Sequence, residues 1–406
     1  MKRCLVLFTA LSLLLLILLP ACGGDKDGKT PTPTLTATPI TTASPTQIAT
    51  PSPAPTGTVK IGAINSWSGP AALSGVSLAD PVIKLVEKQV KDQGGILGGR
   101  EVKVIRYDNR ASVAEAQAGV KKLYYDDKVS VITIGGVSGA EFNAVAAACE
   151  EEEILYVSIG HVEDLPKYKF TVNATVQGAV NRALTIKFIN TVLKPTTAAV
   201  FGSDDSAAHL NMPAVKEALE AAGTKIVYFE YCTIDTTDYS PYLTKIKYEK
   251  PDLLYFYCGS NEAHISIAKQ IMELGGWGDT EVFTLPAGES AKKQPGADGW
   301  YMFANWAPGL DYPGSVKYMN DYQAMYGKLP SANQIYYYNS LWTAIYAVEL
   351  AGTDTDRVAI AQAARSGNLE WDTPMGHAHF MPDGTSGLSL IIEQVQDGAM
   401  VLVPLP

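Results

Sequence analysis

Residues able to do chemistry are few and scattered in this chain. His161-Val162-Glu163 is an H-x-E triplet, the order in which a zinc deaminase sets a metal ligand and its general acid/base, but that chemistry also needs a P-C-x-x-C run, and none occurs. His377 and His379 fall on one face of a predicted strand at ligand spacing, with no identifiable third ligand, so they read as a solvated or packed pair and not as a metal site. The five cysteines, Cys4, Cys22, Cys149, Cys232 and Cys258, nowhere form C-x-x-C, which argues against structural zinc or an iron–sulfur cluster. Cys149 reads as a small buried helix residue. Cys232 and Cys258 stand near the ends of two strands with a third between them; a disulfide needs Cα atoms within about 7 Å, so their loops would have to converge. No nucleophile elbow, dinucleotide fingerprint or phosphate loop is present. A hydrolase using His161 and Asp205 therefore lacks a nucleophile motif, and the chain reads as a non-enzyme without metal or cofactor.

The elements that must position any site follow from composition and pattern. At 406 residues, 47% of them hydrophobic, the chain exceeds the roughly 250–300 residues that one core serves. Its net charge of −10, with no basic cluster, excludes a nucleic-acid binder. Lys2 and Arg3 precede an apolar run, Leu5 to Leu19, too short to span a bilayer and suited to a signal peptide over 1–21. From Asp25 to Thr56, Thr and Pro dominate, with no aromatic residue and no charged residue after Lys29; such a stretch cannot bury a core and extends at about 3.1 Å per residue as a spacer.

From Thr58 onward, strands alternate with helices. Strands are expected at Thr58–Asn65, Glu101–Tyr107, Val129–Ile134 and Ile154–Ile159, with helices at Leu78–Gln93, Val113–Tyr125 and Ala140–Glu152. A second round runs helix Ala179–Val192, strand Ala198–Phe201, helix Pro213–Ala222, strand Lys225–Tyr231, helix Tyr239–Tyr248, strand Leu253–Tyr257, helix Glu262–Leu274 and strand Glu281–Leu285. A strand at Gly299–Trp306, helices at Val316–Tyr326 and Ser331–Leu350, and strands at Ala378–Pro382 and Leu388–Val395 complete the chain. The fold class is α/β, with two doubly wound parallel-sheet lobes joined by a hinge with several chain crossings. Lobe 1 is expected at 58–176 plus 308–372 and lobe 2 at 177–307 plus 373–406. Two such lobes suit closure on a ligand, with loops at the carboxyl ends of strands facing the cleft.

Two resemblances sharpen this. Leu19-Pro20-Ala21-Cys22 resembles the bacterial lipoprotein box, which implies lipidation of Cys22 and a tethered segment 22–57. Ile61-Gly62 leading to Ser68-Gly69-Pro70, Gly94-Gly95-Ile96 with Tyr107-Asp108 beyond, Gly135-Gly136-Val137-Ser138-Gly139-Ala140 before a helix, Pro251-Asp252, Tyr326-Gly327 and Phe380-x-x-Asp383-Gly384 together resemble the Leu/Ile/Val-binding branch of type I periplasmic binding proteins, the substrate-binding components of ABC transporters. The resemblance implies a ligand carboxylate held by Ser138, Gly139 and Ala140 and by Ser158, Gly160 and His161, with Trp67 and Ser68 on the cleft wall. In the second lobe, the family's usual Tyr-Gly is replaced by Ala207-Ala208, and Ala287 takes the place of the acid that receives an α-ammonium, leaving Glu289 or Asp205 as substitutes and Ser260 as a further contact. Glu141 stands where small hydroxyls are common and reads as a first-turn helix acid pointing to water. The implied protein is an extracytoplasmic, lipid-anchored monomer that captures a small polar solute for an ABC permease; a receptor signalling to a membrane partner is the alternative.

Overall fold

Short runs of Val, Ile and Ala without alternation suit a sheet covered on both faces, and this is what the computed structural model contains. It describes residues 57–176 and 178–404; the signal segment, Cys22 and all of the tether but Gly57 lie outside the described residues. The first lobe is built from β1 (Thr58–Asn65), α1 (Asp80–Asp92), β2 (Glu101–Asp108), α2 (Val113–Tyr125), β3 (Val131–Ile134), α3 (Gly139–Glu151), β4 (Tyr156–Ser158) and β5 (Thr171–Asn173). Its five strands form one parallel sheet in the order β2-β1-β3-β4-β5. The three-residue β5 carries too little pattern to be visible in sequence.

The chain continues through α4 (Gly178–Phe188), β6 (Thr197–Ser203), α5 (Ser206–Ala221), β7 (Lys225–Cys232), α6 (Ser240–Glu249), β8 (Leu253–Tyr257), α7 (Asn261–Glu273), β9 (Glu281–Thr284), α8 (Glu289–Lys292) and β10 (Tyr301–Ala304). There follow α9 (Pro313–Tyr326), α10 (Gln334–Ala351), α11 (Arg357–Ala364), the hairpin of β11 (Glu370–Thr373) and β12 (Gly376–His379), and finally β13 (Ile391–Gln396) and β14 (Ala399–Val403). The second sheet runs β14-β13-β10-β9-β8-β6-β7. It is parallel from β7 to β10, and β13 and β14 add an antiparallel edge. That edge turns on Asp397-Gly398, both at positive φ (+52° and +74°), the two-residue turn whose twist matches a hairpin.

Each sheet is packed on both faces. α10 contributes Ile335, Leu341, Trp342, Ile345 and Val348 to one side of the first sheet, and Val120, Leu123, Val145 and Cys149 of α2 and α3 cover the other. The second sheet lies between a core holding Leu243, Ile246 and Ile267 and one holding Phe188, Met212 and Val215. Met375, Ala378, Phe380 and Leu388, placed by sequence in the second lobe, belong to the first core, because the β11–β12 hairpin packs its apolar face there. Core membership then changes between Leu388 and Ile392.

α5 begins earlier than its proline suggests. Asp205 caps it, accepting from the Ala208 N–H at 2.8 Å, so Pro213 sits inside the helix and not at its first turn.

Candidate functional site

The expected first-lobe residues gather at the carboxyl edge of β1, β3 and β4. β3 ends in Ile134-Gly135-Gly136, all at positive φ, which throws the following loop outward. Gly135 admits no side chain, since a Cβ there would stand 1.8 Å from the Tyr156 hydroxyl, and one on Gly136 would meet Glu141 Cβ at 2.7 Å. Val137, Ser138, Gly139 and Ala140 are exposed, and Gly139 and Ala140 form the first turn of α3, where backbone N–H groups have no intrahelical partner. The neighbouring loop is more closed. The buried Ser158 hydroxyl accepts from Tyr156 Oη at 3.0 Å and from the Gly160 N–H at 3.2 Å and donates to the Gly160 carbonyl at 3.0 Å, so it is spent within its own turn. The Phe142 ring occupies the space beside Gly160, and His161 is exposed.

Glu141 corrects the sequence reading. It is 1% exposed and turned inward, accepting from Ser138 Oγ at 2.7 Å, from the Val137 N–H at 3.1 Å and from Asn109 Nδ2. Ser138 accepts the Glu141 N–H in return, a variant of the S-x-x-E cap in which the glutamate takes the Val137 N–H and the Ser138 hydroxyl; that spacing is legible in the sequence. An internal carboxylate therefore already holds the Ser138 hydroxyl, one of the donors expected to receive a ligand's carboxylate, together with the neighbouring Val137 N–H.

Trp67 and Ser68 follow β1 and are tied to Asp108: the Trp67 N–H donates at 2.9 Å and Ser68 Oγ at 2.5 Å, while the Trp67 indole N–H reaches Asp80 at 2.9 Å. Burial would raise the Asp108 pKa, but hydrogen bonds from Ser68, Trp67 and Arg110 outweigh it and hold the carboxyl below its ordinary value.

The second-lobe candidates gather at the carboxyl edge of β6, β8 and β9. Asp205 is occupied as the cap of α5, and the Ser260 hydroxyl caps α7 by accepting from the Ala263 N–H at 3.0 Å. Ala287 is buried, its N–H pointing at the Met302 sulfur at 3.4 Å, and Glu289 opens α8. Sequence reasoning missed a polar chain at this edge. Arg182 Nη1 donates to Asn211 Oδ1 at 3.1 Å, and Asn211 Nδ2 donates to Tyr257 Oη at 3.1 Å and to the Ala207 carbonyl at 2.8 Å. Burial pushes the Tyr257 phenol up, the Asp205 charge adds to this and the Arg182 charge opposes it. No motif announces these three residues, because only folding brings α4, α5 and β8 together.

Beneath that edge, Cys232 and Cys258 are free, buried thiols on either side of Ser203. The two thiols influence each other: the Cys258 side chain lowers the Cys232 pKa, and Cys232 together with burial raises that of Cys258. His377 pairs with Asp372 at 2.8 Å and His379 Nε2 lies 2.8 Å from the Gly367 carbonyl. Among the described residues, no group of three or more His, Cys, Asp or Glu could hold a metal.

A family model described as "Periplasmic binding protein" matches residues 58–399, which is nearly all of the two-lobed structure. The chain belongs to the periplasmic binding protein family. Its fold is the type I form, in the branch that resembles Leu/Ile/Val-binding proteins. This is a family of solute-binding proteins, not of enzymes, and membership implies an extracytoplasmic location. The Leu/Ile/Val/Thr-binding protein of Salmonella typhimurium is 24% identical over 204 residues, 49% of this chain and 54% of that protein, so the match spans about half the length of the curated relative. A branched-chain amino acid transporter substrate-binding protein from Streptococcus pneumoniae, solved in complex with isoleucine, superposes with a TM-score of 0.68 at 18% identity, covering 86% of this chain and 99% of that one. A solute-binding protein of an ABC transporter from Rhodopseudomonas palustris, solved with 3,4-dihydroxybenzoic acid, gives 0.67 at 19% identity, covering 85% and 96%. At these identities the solved structures of the periplasmic binding protein family establish the fold alone.

Proposed function

We propose that this chain is the lipid-anchored receptor of an ABC importer, which captures a small polar organic solute, an amino acid or a related carboxylate or amide, by lobe closure and delivers it to a permease. The observation that carries the reading is the pairing of two doubly wound lobes, each offering capped helix N-termini at the carboxyl edge of its sheet: α3 in the first, α5 and α7 in the second. Closure needs no catalysis; a ligand touching both lobes favours the closed state by its differential contacts, and a permease that recognises that state reads occupancy. Ala287 and the capping role of Asp205 weigh against an α-ammonium site of the usual kind, so carboxylates and amides without an amine stay within the class. Cys22, at its box, is the proposed lipid attachment and holds a monomer at the membrane through the Thr/Pro tether.

The test is a thermal-shift screen of the full chain in detergent against amino acids, aromatic acids, amides and polyamines. A ligand at 100 times its Kd adds about 2.7 kcal/mol to the folded state and shifts the transition visibly. Absence of a shift across every class would refute the capture of small polar solutes. Cys22→Ala should release the protein from the membrane fraction, and continued attachment would refute the lipid anchor.

A further inference from the structure

We propose that the anion anchor of this receptor lies in the second lobe, on the guanidinium of Arg182, and that its ligand is a small organic carboxylate bound with its charged end on that lobe. The inference rests on the solute-binding reading above. α4 leads directly into β6 and must run back against it, which brings the first turns of α4 to the carboxyl edge of the sheet, where Asp205, Tyr257 and Ser260 also stand. Arg182 is half-buried there. Its orientation is set by Asn211, whose own amide group is fixed by two acceptors, Tyr257 Oη and the Ala207 carbonyl, so that the amide oxygen is left for the guanidinium. Tyr257 Oη, accepting from Asn211, retains its own proton to donate.

Among the described residues, no carboxylate lies within ion-pair distance of Arg182; Asp205, the neighbouring acid, is directed to the Ala208 N–H. A half-buried guanidinium with no carboxylate partner has charge-assisted donors to offer an arriving anion. Arginine is also the side chain whose planar donors match a carboxylate in two parallel hydrogen bonds. The first lobe reinforces the choice. Glu141 has taken the Ser138 hydroxyl and the Val137 N–H, and its buried charge repels a second carboxylate at that loop. The ligand's anionic end is thereby directed to the opposite side of the cleft.

The test is calorimetric titration of the full chain in detergent with benzoate and isoleucine, each beside its amide, in wild type and in Arg182→Gln and Arg182→Lys, with sugars and polyamines as further probes. The expected result is binding of at least one acid, weakened about tenfold or more in Arg182→Gln and less in Arg182→Lys, with the affinity of the matched amide unchanged. Acid binding that survives Arg182→Gln undiminished overturns the anchor while leaving solute capture standing, as does wild-type binding confined to non-acids. Failure of every probe to bind wild type overturns solute capture and the anchor with it. The thermal midpoint of each unliganded variant separates lost binding from lost folding, and should the Gln variant unfold, the Lys variant decides: full acid affinity with no change in its ratio to the amide overturns the anchor.

Discussion

Replacing Glu141 with alanine tests the most consequential correction to the sequence reading. A helix acid pointing to water would change stability by no more than about 0.5 kcal/mol when truncated. The observed carboxylate is 1% exposed and accepts from three donors. Two of these, the Val137 N–H and the Ser138 hydroxyl, belong to exposed residues that water can serve, so their loss amounts to a lost helix cap, about 1 kcal/mol. The third, Asn109 Nδ2, belongs to a residue at 0% exposure, and leaving its donor unsatisfied costs a further 1–3 kcal/mol or so. The expected total is about 2–4 kcal/mol, read as a lower urea midpoint at unchanged slope. Asn109→Ala in the Glu141→Ala background should then cost less than in wild type, because the stranded donor is already present. A loss under about 0.5 kcal/mol, or costs that add to within about 0.5 kcal/mol, would show that the carboxylate is solvated and the argument wrong.

Two glycines of the same loop should behave in opposite ways. Gly135→Ala sets a Cβ 1.8 Å from the Tyr156 hydroxyl at a φ of +99° and should cost more than about 4 kcal/mol or abolish folding, whereas Gly139→Ala enters open space in a helix turn and should stabilise the unliganded protein by about 0.4–1 kcal/mol, both measured by urea denaturation. The Arg100–Asp354 pair, with two parallel hydrogen bonds of 2.8 and 2.6 Å, holds the Asp354 carboxyl below its ordinary 3.8, chiefly through the hydrogen bond from Arg100. Because the folded pKa is the lower one, the unfolded chain takes up this proton first as pH falls; the pair's contribution is present above the ordinary value and is lost as pH drops through the folded one. Urea midpoints at pH 7 and pH 3 should therefore converge more in Asp354→Asn than in wild type, and an equal acid-induced drop in both would remove the pair from the account.

Much of the architecture was legible because the chain repeats one local pattern. Short apolar strand runs, each followed by a helical pattern, specify β1 to α3 and again β6 to β9, since burial on both faces leaves a sheet few alternatives. What escaped notice was short or ambiguous: β5 has three residues, and Pro213, read as a helix start, lies inside a helix begun by Asp205. β14 is marked in the sequence by Asp397-Gly398, a two-residue turn signal between two apolar runs.

The sequence by itself determined the family, the two-lobed α/β fold, and the loops that end up at the carboxyl edges of the sheets, because all of these are carried by local periodicity and by glycines at turns. Which polar groups in those loops remain available was settled by packing. Glu141 takes the donors of its own loop while Asn109, a residue from another strand–helix connection, donates to its other oxygen, and Arg182 is oriented by Asn211 and Tyr257 from two further elements. A side chain's choice between solvent, cap and ligand depends on partners that are remote in sequence, and only packing brings them within hydrogen-bonding distance.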